Sequence, residues 1–299
     1  MRWLLALLAL HAASAFALSP RTYVSGLGDD SNPCTRAQPC RTFAMAITAT
    51  MNGGAINVID DAAYGAVTIA KPITIDAGGH VAAVMAASGS GILIDTTGAG
   101  DMVVLRGLSV DGLGTASSGI RAIAVGKLVV EHCTIQNAAG HGIDFESATN
   151  PSNLLVSDST IVNNVDTVGG SSGVYHASPY GTVALERVRV ADNNIGVQVR
   201  AATLSIRNST ISGNVQANVK LFAANASRID IDNSLISGSV AGTGIHSQGL
   251  VASVFVSNST ITGNSQGLTT VIGSINSFGN NRVFGNTMDG AFTTTLPQK

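Results

Sequence analysis

The sequence predicts an all-β fold, a single-stranded right-handed parallel β-helix of three-strand coils closed at its N-terminal end by a short capping helix, and three observations predict it. An apolar-x-apolar-x-turn-small-x-(Ile/Val) pattern begins at Val103, Leu128, Leu154, Val183, Leu204, Ile229 and Val254, with a degenerate copy at Asn276. Recurrence at a period of this length is the signature of a solenoid, and the unequal intervals, 25, 26, 29, 21, 25, 25 and 22 residues, describe loops of varying length on a constant frame. Charged residues make up only 11% of the chain against a usual ~25%, aromatics 4%, and there are 34 glycines, which suits small side chains and frequent turns.

From the N-terminus, Met1-Arg2 is a short positive region, Trp3 to Leu10 an apolar run, and Ala13-Ser14-Ala15 or Ala15-Phe16-Ala17 a small-x-small cleavage site. These are the three parts of a secretory signal, so residues 1–17 are expected to be removed and the protein to be secreted or periplasmic. The run falls short of the ~20 residues that span a bilayer, and nothing later in the chain reads as a membrane span. Loss of Arg2 leaves 15 basic against 18 acidic side chains. No basic stripe interleaved with aromatics marks a nucleic-acid surface, and the only tryptophan, Trp3, leaves with the signal.

Residues 18–60 are expected to form an N-terminal strand, a disulfide loop and the capping helix. Cys34 and Cys40 flank a five-residue loop, and in an oxidising compartment the plain reading is a local disulfide; a metal pair would lack the second pair needed for four ligands. Asp29, Asp30 and Asn32 have calcium-ligand chemistry, but a turn of Gly, Asp, Ser, Asn and Pro explains them equally well, so calcium is possible and unsupported and no cofactor is expected. Thr42 to Met51 is the helix candidate, with Thr42 as N-cap and Phe43, Ile47 and Met51 on one face.

Residues 61–290 are expected to be the β-helix and 291–299 a tail. Within each repeat, inward positions are first and third, as in Leu204 and Ile206, then sixth and eighth, as in Ser209 and Ile211. A straight strand alternates with period two, so this parity jump requires a bend at the fifth position. That position reads Gly107, His132, Asp158, Arg187, Asn208, Asn233, Asn258 and Asn280, and apart from Arg187 these are residue types that tolerate a left-handed backbone. Stacked asparagines there are expected to bond from coil to coil. The eighth column, Val110, Ile135, Ile161, Val190, Ile211, Ile236, Ile261 and Val283, is β-branched throughout, as a buried parallel sheet prefers. Cys133 occupies the sixth column as a small buried residue.

The opening Tyr23-Val24-Ser25, Gly28-Asp29-Asp30-Ser31-Asn32-Pro33, Pro39-Cys40-Arg41-Thr42-Phe43 and Gly53-Gly54-Ala55-Ile56-Asn57-Val58, with the coils after it, resembles bacterial right-handed β-helix proteins of the pectate-lyase-like superfamily. The resemblance covers about residues 21–290 and implies a fold, because the superfamily includes lyases, hydrolases, epimerases, tailspikes and adhesins. Glu131-His132-Cys133-Thr134 followed by His141-Gly142-Ile143-Asp144 is similar to an Asp-His-Cys-Thr and Asp-Gly-x-x-Asp stretch of pectate lyases, with Glu131, His141 and Phe145 replacing Asp. The arginine-proline-arginine motif expected downstream is missing; Arg187-Val188-Arg189 has no proline. Gly140-His141-Gly142 resembles a polygalacturonase tripeptide, but its Asn-Thr-Asp and Arg-Ile-Lys companions are missing, so His141 reads as a turn residue.

In this superfamily the ligand groove runs along one sheet, which here would be the third strand of each coil. With Ile120, Ile143, Val174, Val197, Val219, Ile245 and Leu268 inward, the outward ladder is Arg121, Asp144, Tyr175, Gln198, Lys220, His246 and Thr269, and two residues on come Glu146 and Arg200. The expected partner is an extracellular polysaccharide, with Asp144 and Glu146 as acid/base or cation-binding groups and Arg200 and Lys220 as anion contacts. A non-catalytic structural or adhesive solenoid is the alternative, and a polysaccharide lyase or glycoside hydrolase the third reading.

Overall fold

A computed structural model describes residues 18–166, 169–223 and 225–297; the expected signal lies outside the described residues. The chain is a right-handed parallel β-helix of three sheets, with 12, 10 and 9 strands in the order in which a coil visits them. A typical coil runs Ala202–Arg207 in the first sheet, Thr210–Ser212 in the second and Ala217–Phe222 in the third, each paired in parallel with its counterparts one coil before and after.

The parity jump is a left-handed corner. Gly107, His132, Asp158, Arg187, Asn208, Asn233 and Asn258 all have φ between 47° and 71°. Arg187, the residue type least suited to it, is held by a two-pronged ion pair to Asp158 at 2.7 and 2.8 Å. The last coil departs from expectation by one residue. Val254 pairs with Ile275, so the coil starts there and not at Asn276; Gly279, at φ 85°, makes the corner in place of Asn280, and one residue is inserted before Val283. The corner amides also chain less than expected. Asn233 donates to Asn208 and Asn280 to Asn258, both at 2.6 Å, but between them Asn258 donates to Asp232.

Two polar ladders run inside the wall instead. In the sixth column, each serine accepts the backbone N–H of the coil before it, as Ser234 does from Ser209 and Ser259 from Ser234, and donates its hydroxyl to the carbonyl two residues back. Cys133 fits this column, its thiol lying 3.3 Å from the Glu131 carbonyl. At the next corner, side-chain amides bond in sequence at 2.8–3.0 Å through Asn164, Asn193, Asn214, Asn218, Asn264 and Asn286. A buried amide left unpaired costs ~1–3 kcal/mol, so the continuous chain is what makes this column tolerable.

Asn218 is out of place in that chain, and its position explains a second regularity. It stands in the third sheet at a site that is glycine in the neighbouring coils, Gly173, Gly196, Gly244 and Gly267, where a Cβ would run into the ladder amide of the following coil; at Gly196 it would meet Asn214 Nδ2 at 2.7 Å. The coil after Asn218 carries Ser239 where its neighbours carry asparagine. The small serine leaves room for Asn218, which supplies the missing amide.

The helix spans Phe43–Ala49, with Thr42 as its N-cap accepting from the Met45 N–H at 3.2 Å. It is shorter than the expected Thr42–Met51, because Thr50 is extended and opens the strand Thr50–Val58; Met51 is therefore 41% exposed and off the core face that Phe43 and Ile47 share. The strand Ser19–Val24 pairs with that strand and extends the first sheet. At the other end Thr294–Thr295 adds to the first sheet beside Asn276 and Ser277, and Phe292 packs against the core. Cys34 and Cys40 are disulfide-bonded and fully buried. The eighth-column residues from Val110 to Ile261 are fully buried, each contributing ~1.5–3 kcal/mol.

Candidate functional site

The third sheet brings the expected ladder into register: Arg121 pairs with Asp144, Asp144 with Tyr175, Tyr175 with Gln198, Gln198 with Lys220, and Lys220 with His246. Because the strands are parallel and unshifted there, these residues follow one another at the ~4.8 Å strand spacing. Glu146 and Arg200 follow just beyond their strands, bonded through their backbone N–H groups to the Ala122 and His176 carbonyls.

The ladder divides into a paired and an unpaired half. Arg121 Nη2 lies 3.0 Å from Glu146 Oε2 and Arg121 Nε 3.3 Å from Asp144 Oδ2, so both carboxylates are committed to one guanidinium. Asp144 is only 6% exposed, and one of its oxygens, Oδ1, is buried without a partner among the described residues. Burial first and the neighbouring Glu146 charge second outweigh Arg121 and raise its carboxyl to about 6. Farther along, Lys220, His246 and Arg200 form no ion pair among the described residues. Arg200 lies over the Phe222 ring at 5.2 Å, and His246 Nε2 is 3.3 Å from Gln248 Oε1. Gln198 is buried, with Oε1 accepting from Ser172 at 3.0 Å, so it anchors the wall more than it faces solvent.

Sequence reasoning missed His141. It opens the strand His141–Phe145, and its ring stacks on that of Tyr175 with centroids 4.4 Å apart and planes 9° apart. Its Nδ1 accepts the Ser172 N–H at 3.1 Å, and burial lowers its pKa, so the neutral ring is favoured. The two rings stack face to face, and Tyr175 stands in register with Asp144. Asp166, which follows the strand Thr160–Val162, is tied to Asn194 Nδ2 at 2.7 Å. The signal that could have found the pair was the coil alignment, which places His141 and Tyr175 on adjacent coils.

The remaining motif residues lie elsewhere. Glu131 bonds Arg106 on the first sheet, and Arg187 and Arg189 pair with Asp158, Glu186 and Asp192 at the corners. None of them joins the third-sheet face. Asp29 accepts from Ser31 within its own turn, and Asp30 accepts from the Arg41 and Thr42 N–H groups and the Thr42 hydroxyl, tying the turn to the start of the helix. Among the described residues no group of three or more His, Cys, Asp or Glu side chains is placed to hold a metal ion.

No protein-family model matches the chain, and no curated protein matches it in sequence. Among solved structures, the crystal structure of pectate lyase Pel9A is similar to it with a TM-score of 0.62 at 14% identity, over 94% of this chain and 80% of that one. The A-module of the Azotobacter vinelandii mannuronan C-5 epimerase AlgE4 aligns at TM-score 0.48 and 13% identity over 83% of this chain and 91% of that one. A rhamnogalacturonan lyase aligns at 0.39 and 14% over 91% and 88%. The likeness to the pectate lyase is one of fold.

Proposed function

We propose that the mature chain binds an extracellular polysaccharide along the outward face of its third sheet, through Arg121, Glu146, Tyr175, Arg200, Lys220 and His246, with the buried Asp144 and Gln198 supporting that face from the wall. The carrying observation is the division of the ladder: its carboxylates are taken up by Arg121, while Arg200 and Lys220 keep their charge unpaired among the described residues. The charge left to a ligand is positive, which favours an acidic polymer lying along the helix axis, one coil to each ~4.8 Å step. The stacked His141–Tyr175 pair adds an aromatic group, Tyr175 within the row and His141 beside it, against which a sugar can pack. A disulfide and an expected secretory signal fit a protein that meets such polymers outside the cytoplasm.

A catalytic role is the second reading, and one observation favours it: Asp144 is a carboxyl poised to hold a proton near neutral pH. Against it, the Asp144 and Glu146 carboxylates share one arginine, where a hydrolase would set two carboxyls apart across a cleft. The test is incubation of the mature protein with a panel of acidic and neutral polysaccharides, with and without calcium, reading retention together with unsaturated and reducing-end products. Retention of an acidic polymer without new ends supports the binding reading. Retention that survives Asp144→Ala, Lys220→Ala and His246→Ala combined overturns the face, and product formation moves the protein to the catalytic reading.

A further inference from the structure

The outward side of the first sheet carries a second constellation, independent of the third-sheet face. Phe255 and Phe278 come from successive coils and lie half-buried with ring centroids 6.4 Å apart and planes tilted 31°. Aromatics are only 4% of this chain, and the outward positions aligned with Phe255 on earlier coils are Val104, Val129, Leu155, Ala184, Ser205 and Asp230. Two adjacent phenyl rings on a solvent-facing sheet therefore stand out from the repeat.

The rings are framed by fixed charges. The Arg228 guanidinium lies 4.2 Å over the Phe255 ring and is held there by Asp230, whose two carboxylate oxygens both accept from Nε at 2.8 Å. In the next position along the strands, Asp232 Oδ1 accepts from Ser257 Oγ at 2.6 Å and from Asn258 Nδ2 at 2.8 Å. Those bonds hold Asp232 below the usual carboxylate range, so it stays ionised. Arg207 pairs in register with Asp232 on the neighbouring strand and forms no ion pair within 4 Å among the described residues, leaving its donors for a ligand. Arg207, Arg228, Asp232, Phe255, Ser257 and Phe278 surround a surface cleft of about 300 Å³.

Two guanidiniums and two carboxylates leave the cleft without net charge. A ligand matched to it has an apolar face for the phenyl rings, hydroxyls that both donate to carboxylate and accept from guanidinium, and no charge of its own. We propose that this cleft is a second glycan-binding site, taking a neutral hexopyranose ring packed beside the Arg228-capped Phe255 ring and Phe278 and hydrogen-bonded to Arg207 and Asp232. Apolar contact with the phenyl rings sets the position of the sugar, and the fixed donors and acceptors set its rotation, the division of labour expected of a small polar-rimmed apolar site. The two proposed sites differ in ligand charge, so each stands or falls without the other.

The test is calorimetric titration of the mature protein with cellohexaose and mannohexaose as neutral probes and hexagalacturonate as the acidic one. The expected result is that a neutral hexasaccharide binds, that Phe255→Ala weakens it by about tenfold or more while Phe255→Tyr retains it, and that Lys220→Ala on the third sheet leaves it unchanged. Should Phe255→Ala fail to fold, Arg207→Met carries the same expected weakening. Absence of neutral binding at about 10 mM probe, Phe255→Ala or Arg207→Met binding like wild type, or loss of neutral binding in Lys220→Ala overturns the site.

Discussion

Replacing Asp144 by Asn should expose a pH dependence that the native chain conceals. His176 is fully buried in the third-sheet wall beside Phe145, both ring nitrogens without a partner among the described residues, and burial lowers its pKa from 6.5 to about 4. The unfolded chain takes up that proton on acidification and the folded chain does not, so stability falls as pH drops from 6.5 to 4; 2.5 units at 1.36 kcal/mol each is about 3 kcal/mol. Asp144 acts oppositely. Its carboxyl is raised from 3.8 to about 6, so the folded chain binds the proton first and stability rises by about 3 kcal/mol as pH falls through the same window. The two slopes nearly cancel between pH 4 and 6. Asp60, Asp111, Asp158 and Asp232, all held below their usual range, lose their contributions only at pH below ~4, and the lowered His141 adds to the His176 slope.

The assay is urea unfolding of the wild-type protein and Asp144→Asn at half-unit steps from pH 4 to 8. The wild type should change little across the window. Asp144→Asn, which mimics the neutral acid, should be about 2–3 kcal/mol more stable than wild type at pH 8, match it near pH 4, and lose about 3 kcal/mol between 6.5 and 4. Parallel curves for the two proteins would refute the assignment of Asp144 as a charge held at a cost inside the wall.

Three further predictions concern the wall. Asn218→Gly should cost ~1–3 kcal/mol by leaving Asn214 and Asn264 without their shared partner, and adding Ser239→Asn should recover most of it by restoring the pattern of the neighbouring coils; a double-mutant cycle by urea unfolding reads the coupling, and additive effects would contradict the exchange. Cys133→Ser should change stability by less than about 1 kcal/mol, because serine already fills that column in other coils. The native Cys133 thiol, pushed up to about 11 by burial, should resist a disulfide reagent that labels it at once in denaturant; equal labelling rates would place it outside the wall.

The corner was legible because a left-handed backbone restricts residue type so strongly that Gly107 to Asn258 identify themselves. The same restriction misled at the last coil. Asn280 looked like the corner, but Gly279 beside it adopts the conformation more cheaply, and an inserted residue hid the change of register. The exchange of Gly for Asn218 and of Asn for Ser239 was present in the aligned repeats as two exceptions one coil apart. Its meaning depends on a glycine's missing Cβ meeting the next coil's amide, and that is a contact between coils. The role of His141 is hidden for a similar reason, since its partner Tyr175 is close only once the coils are stacked. The outward ladder was read correctly in register, while the commitment of both Asp144 and Glu146 to Arg121 depends on side-chain reach, which a linear pattern does not contain.

The most direct test of polysaccharide binding along the third sheet is the dependence of affinity on ligand length. From Arg121 to His246 the ladder has six rungs, hence five steps of ~4.8 Å or about 24 Å. With size-fractionated oligomers of an acidic polysaccharide that the protein retains, affinity should climb with length until the chain spans that distance and then level off, and Lys220→Ala should flatten the climb. A disaccharide binding as tightly as the long oligomers, or a climb that Lys220→Ala leaves intact, would contradict an extended binding face.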